Sequence, residues 1–222
     1  MSEDKPTEGS RIEPRWPVVL AIISAVLLLA LLPGRLRIFP AWFPYLLGIV
    51  LVAPVAAVGL TAGSGRWLRM ERAATLLFVL VTGASALAGL TKLIGAVVGK
   101  SGEISGMQLL ASSVAVWVSN VLAFSLLYWH IDRGGPEERV HGAGVRPDWL
   151  FPQTGAVDDA PPGWRPTYVD YLFLAYSTAT AFSTTEVAPL TSRAKLLMML
   201  ESTISLLTMV VVASRAINIL GS

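Results

Sequence analysis

Long runs of apolar residues, separated by short polar turns, dominate this chain. A helix that crosses a lipid bilayer needs about 20 mostly apolar residues, and five segments meet that requirement. They are residues 16–32, 38–62, 73–98, 107–131 and 194–220. A sixth apolar piece, residues 168–182, is too short to cross comfortably and is expected to be re-entrant, with protein or water around its end. The pattern therefore predicts an all-α integral membrane protein with five transmembrane helices and one re-entrant helix.

Composition supports membrane placement and narrows the chemistry. Hydrophobic residues make up 54% of the chain and charged residues 14%, and the mean hydropathy is +0.62, unlike a soluble domain. The absence of cysteine removes disulfides, thiolate metal sites and thiol nucleophiles. No phosphate loop, zinc-protease motif or nucleophile elbow is present, and His130 and His141, expected to be solvated or interfacial, have no metal-ligand spacing. We expect no enzyme activity, no metal or other cofactor and no nucleic-acid partner.

The last quarter of the chain carries the most informative order of elements. A short apolar helix is followed by a Ser/Thr-rich stretch that ends in an acid, and then by a final apolar helix. This order resembles the pore helix, filter and inner helix of the potassium-channel superfamily. The six positions of that family's filter, Thr-Val-Gly-Tyr-Gly-Asp, are occupied here by Ala181, Phe182, Ser183, Thr184, Thr185 and Glu186. Pro189 follows at the matching distance, Glu201 matches an inner-helix Glu, and Ser205 stands where the family often has its hinge glycine.

The filter departs from the family pattern because Ser183 and Thr185 replace both glycines. A potassium filter aims backbone carbonyls at the ion, and glycine permits the backbone conformation that this requires. The resemblance therefore implies a pore-like architecture without potassium selectivity. It implies that the residues from Thr180 to Glu186 line the pore, and that Thr178 and Glu201 support the pore helix.

A second resemblance covers the whole chain. Motifs at residues 129–136, 151–153 and 178–183 resemble those of a group of bacterial multi-span membrane proteins. This resemblance implies no activity, but it favours a multi-pass protein of the bacterial cytoplasmic membrane.

The chain divides into five predicted units. Residues 1–15 form a disordered leader, residues 16–98 a three-helix auxiliary transmembrane bundle, and residues 107–131 the outer pore helix. Residues 132–167 form a turret-like loop with no evident helical or strand period, and residues 168–222 contain the pore helix, filter-like loop and inner helix. One such unit cannot enclose a pore, so the resemblance implies a homo-oligomer, with four subunits as the family expectation.

Two acidic residues allow more than one interpretation. Glu186 fits a ring of acids that concentrates cations at a pore mouth, or a local cap or partner of Arg193. Glu201 fits a structural carboxylate, or an ion-lining or pH-sensing group. In the structural interpretation it accepts hydrogen bonds from Ser177, Thr178 or Thr180.

Two arguments predict opposite orientations in the membrane. The potassium-channel resemblance places the turret and filter outside the cell. The positive-inside rule places the same side in the cytoplasm, because the leader and the connection before residue 73 are basic. These residues are Lys5, Arg11, Arg15, Arg66, Arg69 and Arg72.

These observations favour an oligomeric ion channel, or a channel-like protein, that lies in the lipid bilayer and passes small cations without potassium selectivity. The alternative is a non-conducting membrane scaffold or regulator that retains the pore fold. A small-solute transporter is disfavoured because the chain shows no internal inverted repeat. Replacing Glu186 or Thr184 is expected to change ion flux in the first case and to affect only packing in the second.

Overall fold

The fold is almost entirely helical. The computed structural model describes residues 13–31, 40–60, 65–98, 106–141, 144–156, 158–180 and 187–220. In these ranges the helices are α1 (Trp16–Leu31), α2 (Phe43–Leu60), α3 (Gly65–Val98), α4 (Gly106–Ile131), α5 (Pro136–His141), α6 (Pro152–Gly155), α7 (Tyr168–Thr180) and α8 (Ser192–Leu220). A 3₁₀ turn, Asp132–Gly134, follows α4, and strand β1 (Trp149–Leu150) pairs antiparallel with β2 (Ala188–Pro189).

The predicted apolar runs all contain a helix, so a mostly helical fold is confirmed. Within the described ranges, one helical segment is both long and apolar enough to cross a membrane, Leu110–Gly134. Two shorter apolar helices are Trp16–Leu31 and Phe43–Val58.

Helix α3 begins earlier than its apolar run predicts, at Gly65 rather than near residue 73. Its first turns are amphipathic, because Arg66, Arg69 and Arg72 are exposed while Glu71 is 1% exposed. A prediction based on continuous apolar residues places the end of the helix at such a turn, because charged residues lower the local hydropathy. The helix itself continues through it.

Helix α4 is the centre of the fold and packs against α1, α3, α7 and α8. Every residue from 121 to 132 is buried, and Leu126 and Tyr128 are fully so. The surrounding helices expose apolar side chains on their outer surfaces. The most exposed of them include Leu20, Ile49, Leu80, Phe173 and Leu206. The chain therefore buries one central helix and presents an apolar exterior.

The stretch of residues 132–167 has more regular structure than predicted, because it contains the 3₁₀ turn, α5, β1 and α6. The turn that ends α4 depends on two glycines: Gly134 has φ +83° and Gly135 has φ +109°. The Gly135 amide donates to the Asp132 carbonyl at 2.9 Å, and the Arg139 amide donates to the Gly135 carbonyl at 3.1 Å. The two glycines thus let the chain turn between the end of α4 and the start of α5.

Candidate functional site

Helix α7 runs antiparallel to α4, from the end of α4 toward its middle. Near the start of α7, the Tyr171 hydroxyl donates to Asp132 Oδ2 at 2.5 Å. Near the end of α7, Trp117 Nε1 donates to the Ala179 carbonyl at 3.5 Å. A helix of 13 residues is about 20 Å long. Helix α7 therefore enters the bundle at one end and stops beside the middle of α4.

The chain then returns to the end at which α7 began. Strand β2 pairs with β1, and the Leu190 amide donates to the Asp148 carbonyl at 2.8 Å. At the start of α8, Arg193 Nη2 donates to the carbonyl of Ile131, the last residue of α4, at 3.4 Å. Helices α7 and α8 therefore start at the same end of the bundle, so the chain enters at that end with α7 and is back at that end when α8 begins.

The predicted filter follows α7 in the sequence. Its residues, Ala181, Phe182, Ser183, Thr184, Thr185 and Glu186, lie outside the described residues. The flanking positions are described: Thr180 ends α7, and the buried Val187 precedes β2. The Thr180 hydroxyl donates to the Tyr176 carbonyl at 3.0 Å and to the Ser177 carbonyl at 3.1 Å. This hydroxyl is therefore engaged within its own helix.

Glu201 is fully buried on α8 and faces α4 rather than the hydroxyls of α7. Its Oε2 accepts a hydrogen bond from the Tyr128 hydroxyl at 2.6 Å. Tyr128 is therefore the donor, because the antiparallel packing of α4 and α8 brings it opposite Glu201. The donors expected from the sequence were Ser177, Thr178 or Thr180. A structural carboxylate remains the interpretation that the geometry supports.

Polar contacts continue along the same helix pair. Asn120 Nδ2 on α4 donates to Ser205 Oγ at 3.0 Å and to the Glu201 carbonyl at 3.3 Å. The predicted hinge-like Ser205 is thus a fully buried partner of Asn120. Thr178 contributes its backbone carbonyl, which accepts from Ser202 Oγ at 3.1 Å, while its buried hydroxyl has no hydrogen-bond partner. Both predicted pore-helix supports therefore lie at the junction of α4, α7 and α8.

A buried cluster of charged residues, which sequence reasoning did not identify, lies where α7 and α8 begin. Asp132 is fully buried and accepts hydrogen bonds from the Tyr171 hydroxyl and, at 2.7 Å, from the Asp148 amide. The Asp148 carboxylate accepts from Thr191 Oγ1 at 2.6 Å and pairs with Arg193. Asp148 is thus a partner of Arg193, while Glu186, the predicted partner, lies outside the described residues. The cluster joins the end of α4 to β1, α7 and the start of α8.

The end of the predicted leader also packs against this cluster. The Glu13 carboxylate accepts hydrogen bonds from Tyr168 N at 2.7 Å and from Trp129 Nε1 at 2.8 Å. Arg15 is 8% exposed and forms ion pairs with Glu71 at 3.4 Å and with Glu137 at 3.0 Å. The predicted disordered leader therefore does not extend to residues 13 and 15, while residues 1–12 lie outside the described residues.

Two opposing effects determine the acidity of Glu71, which lies before the predicted third span. Burial disfavours its charged form, and the nearby Arg15 favours it. Desolvation is the larger effect and, with smaller contributions from Glu137 and Glu13, raises the pKa of Glu71 to about 7. The ion pair with Arg15 therefore offsets part of the desolvation cost without removing it.

His130 is not solvated, which was one of the two environments predicted for it. Its side chain is 3% exposed on the last turn of α4, and its ring contacts Trp129 with centroids 4.7 Å apart. The side chain of His141 lies outside the part of the chain that is described. In that part, no group of three or more His, Asp or Glu side chains is placed to hold a metal ion.

Comparison of the chain with protein-family models, with curated proteins and with solved structures finds no match. The site is therefore interpreted from its own geometry.

Proposed function

We propose that this chain is a subunit of an oligomeric ion channel with a non-standard cation filter, held in the membrane by five transmembrane helices. The observation that carries the proposal is the path of the chain from α7 to α8. Helix α7 enters beside α4, ends at mid-bundle and is followed by a return to the same end. In a membrane, this path would bring the backbone carbonyls and hydroxyls of residues 180–186 to mid-depth, where an ion pathway needs polar ligands.

Membrane placement is supported by the outer surface of the bundle. Large apolar side chains with more than half of their surface exposed occur on α1, α2, α3, α7 and α8. A soluble monomer rarely exposes apolar patches of such extent. Lipid tails or neighbouring subunits would cover these faces and so keep their apolar side chains out of water.

Oligomerisation is supported by one face of α7. Val169, Phe173 and Tyr176 are spaced along one side of the helix and are each more than half exposed. On α8, Leu196 and Met199 are exposed by 65% and 64%. A neighbouring subunit packed on these apolar faces would place several copies of residues 180–186 around a shared axis, because a single copy cannot surround an ion.

A second candidate function is a non-conducting membrane scaffold. It is favoured by the replacement of both filter glycines by Ser183 and Thr185, and by the engagement of the Thr180 hydroxyl within its own helix. In that case the buried polar contacts of Asp132, Glu13 and Glu201 would serve folding alone.

Ion flux into liposomes separates the two functions. Purified protein is reconstituted, and flux is measured under potassium, sodium, calcium and chloride gradients for the wild type and Glu186→Gln. The channel proposal predicts cation flux that falls several-fold in Glu186→Gln, because the ring of acids at the mouth loses its charge. Asp159→Asn is the matched control, because Asp159 is an exposed acid outside the proposed pathway. Cation flux that is equal in all three proteins would contradict a pore mouth at Glu186.

A further inference from the structure

A cavity of about 200 Å³ lies between the first turns of α3, the end of α4 and the start of α5. Its wall contains three basic or imidazole side chains and three acids. They are Arg69, Arg72, His130, Glu71, Glu137 and Glu138. At roughly 30 Å³ per water in the liquid, this volume exceeds that of a single water several-fold. The cavity is therefore large enough for a small polar group.

Two of the lining side chains are buried with a polar atom that no protein group satisfies. His130 is 3% exposed, and its Nε2 has no hydrogen-bond partner. Glu71 is 1% exposed, and its Oε1 makes no hydrogen bond, although it lies 3.4 Å from Arg15 Nη1. Buried polar atoms are rarely left without a partner. Both atoms have almost no surface open to a water molecule, so the charged side chains that line the cavity, and not these two atoms, decide which ligand fits.

The backbone that forms the cavity wall has little freedom to move. Gly135 has φ +109°, and a Cβ atom at this position would approach the His130 carbonyl to 3.1 Å. At Gly134, with φ +83°, a Cβ atom would approach Glu138 Cγ to 3.1 Å. The glycine pair therefore lets the chain turn tightly over His130 and places α5 against the end of α4.

The position of the cavity identifies the kind of surroundings it would have in a membrane. Gly134 lines the cavity and is also the last residue of Leu110–Gly134, the described segment able to cross a bilayer. Trp16, at the same end of the bundle, is 65% exposed, as is common where helices meet lipid headgroups. Along α3 the exposed Arg72 is followed by the exposed Leu76 and Leu80. The cavity would thus lie at headgroup level, above an apolar face.

The charges of the lining residues select the ligand. A metal ion is not favoured, since the described residues contain no suitable ligand cluster. A simple anion would be repelled by Glu137 and Glu138, and a simple cation would be repelled by Arg69 and Arg72. A zwitterion satisfies both sets when its anionic group faces the arginines and its cationic group faces the glutamates.

We propose that this cavity binds the headgroup of an aminophospholipid. The phosphate lies against Arg69 and Arg72, and the ammonium group lies against Glu138. Glu137 is already bonded to Arg15, so Glu138, which is exposed, is the acid available to the ammonium group. The inference rests on the proposed membrane placement but not on ion conduction, so a protein without flux can still confirm it.

Native mass spectrometry of the detergent-purified full chain tests this inference. The probes are dioleoyl phosphatidylethanolamine, the corresponding phosphatidylcholine and the corresponding phosphatidylglycerol, with free phosphoethanolamine as a separate arm. We expect phosphatidylethanolamine to bind at least about tenfold more tightly than the other two lipids, because only it combines a phosphate with N–H donors. Equal binding of the three lipids, or preference for phosphatidylglycerol, would overturn the proposal. Free phosphoethanolamine that binds as tightly as the lipid would overturn the lipid assignment and leave a site for a soluble zwitterion.

Two exposed lining residues provide variants that leave the buried network intact. Arg72→Gln and Glu138→Gln are each expected to reduce the preference for phosphatidylethanolamine about tenfold. The matched control is Arg66→Gln, because Arg66 is an exposed arginine on the same helix that does not line the cavity. Circular dichroism confirms that each variant is folded before binding is measured. An equal preference in all three variants and the wild type would place the lipid elsewhere.

Discussion

Asp132 offers the sharpest test of how α7 is held against the end of α4. Its carboxylate is fully buried, and it accepts hydrogen bonds from the Tyr171 hydroxyl at 2.5 Å and from the Asp148 amide at 2.7 Å. One side chain thereby connects the end of α4 to α7 and to the residue before β1. Asp132→Ala leaves two buried donors without an acceptor.

The expected cost follows from those two donors. Each buried donor left without a partner costs about 1–3 kcal/mol, so Asp132→Ala is expected to lower the free energy of unfolding by roughly 2–6 kcal/mol. Unfolding is measured by SDS titration in mixed micelles and followed by tryptophan fluorescence, since Trp129 and Trp149 are fully buried. The control Asp159→Ala, at an exposed position, should remain within about 0.5 kcal/mol of the wild type.

A double-mutant cycle separates the hydrogen bond from other effects of the substitution. Asp132→Ala and Tyr171→Phe are combined, because each removes the hydrogen bond between the two side chains, and a coupling energy of about 0.5–3 kcal/mol is expected for two residues in direct contact. A coupling near zero, together with a cost below about 0.5 kcal/mol for Asp132→Ala, would refute the role assigned to this carboxylate.

Three further predictions concern the residues around the bundle. Because the pKa of Glu71 is raised from its ordinary 4.5 to about 7, its protonated form stabilises the fold below pH 4.5. As the pH rises from 4.5 to about 7, the free energy of unfolding should fall by roughly 3 kcal/mol. In the Glu71→Gln variant, chemical denaturation across the same pH range should show a smaller change in the free energy of unfolding. Glu13→Ala should lower the free energy of unfolding by roughly 2–6 kcal/mol, because it leaves Tyr168 N and Trp129 Nε1 without an acceptor; hydrogen exchange of the Tyr168 amide, followed by mass spectrometry, should become faster, and an unchanged rate would exclude that contact. Tyr128→Phe should cost roughly 1–3 kcal/mol in SDS titration, because it leaves the buried Glu201 Oε2 without a donor; a neutral effect would contradict that contact.

The helices were predictable because apolar side chains are continuous along them. The runs at residues 16–32, 107–131 and 194–220 correspond closely to α1, α4 and α8. The short run at 168–182 correctly indicated a helix that stops inside the bundle, because 13 residues reach only to the level of Trp117. The first turns of α3 were missed, since an amphipathic turn with Arg69 outside and Glu71 inside does not raise local hydropathy.

The polar cluster at the end of the bundle was not predictable from local pattern. Glu13 and Tyr168 are 155 positions apart in sequence, and neither has a local signature of this contact. His130 was expected to be solvated or interfacial, but the folded chain buries it to 3% exposure. The resemblance at residues 129–136 likewise gave no sign that Asp132 is a buried acceptor. Long-range contacts of this kind depend on topology rather than on spacing.

Cysteine substitution tests the ion pathway most directly, because the native chain contains no cysteine and a single introduced thiol is the only reactive one. Thr184→Cys is reconstituted into liposomes, and cation flux is measured before and after a positively charged thiosulfonate reagent. Leu80→Cys is the control, because Leu80 is 70% exposed on the outer surface of α3. The channel proposal predicts that modification at residue 184 blocks cation flux and that modification at residue 80 does not. Cation flux that is unchanged by modification at residue 184, or no flux from intact and inserted protein under any gradient, would contradict a pathway through residues 180–186.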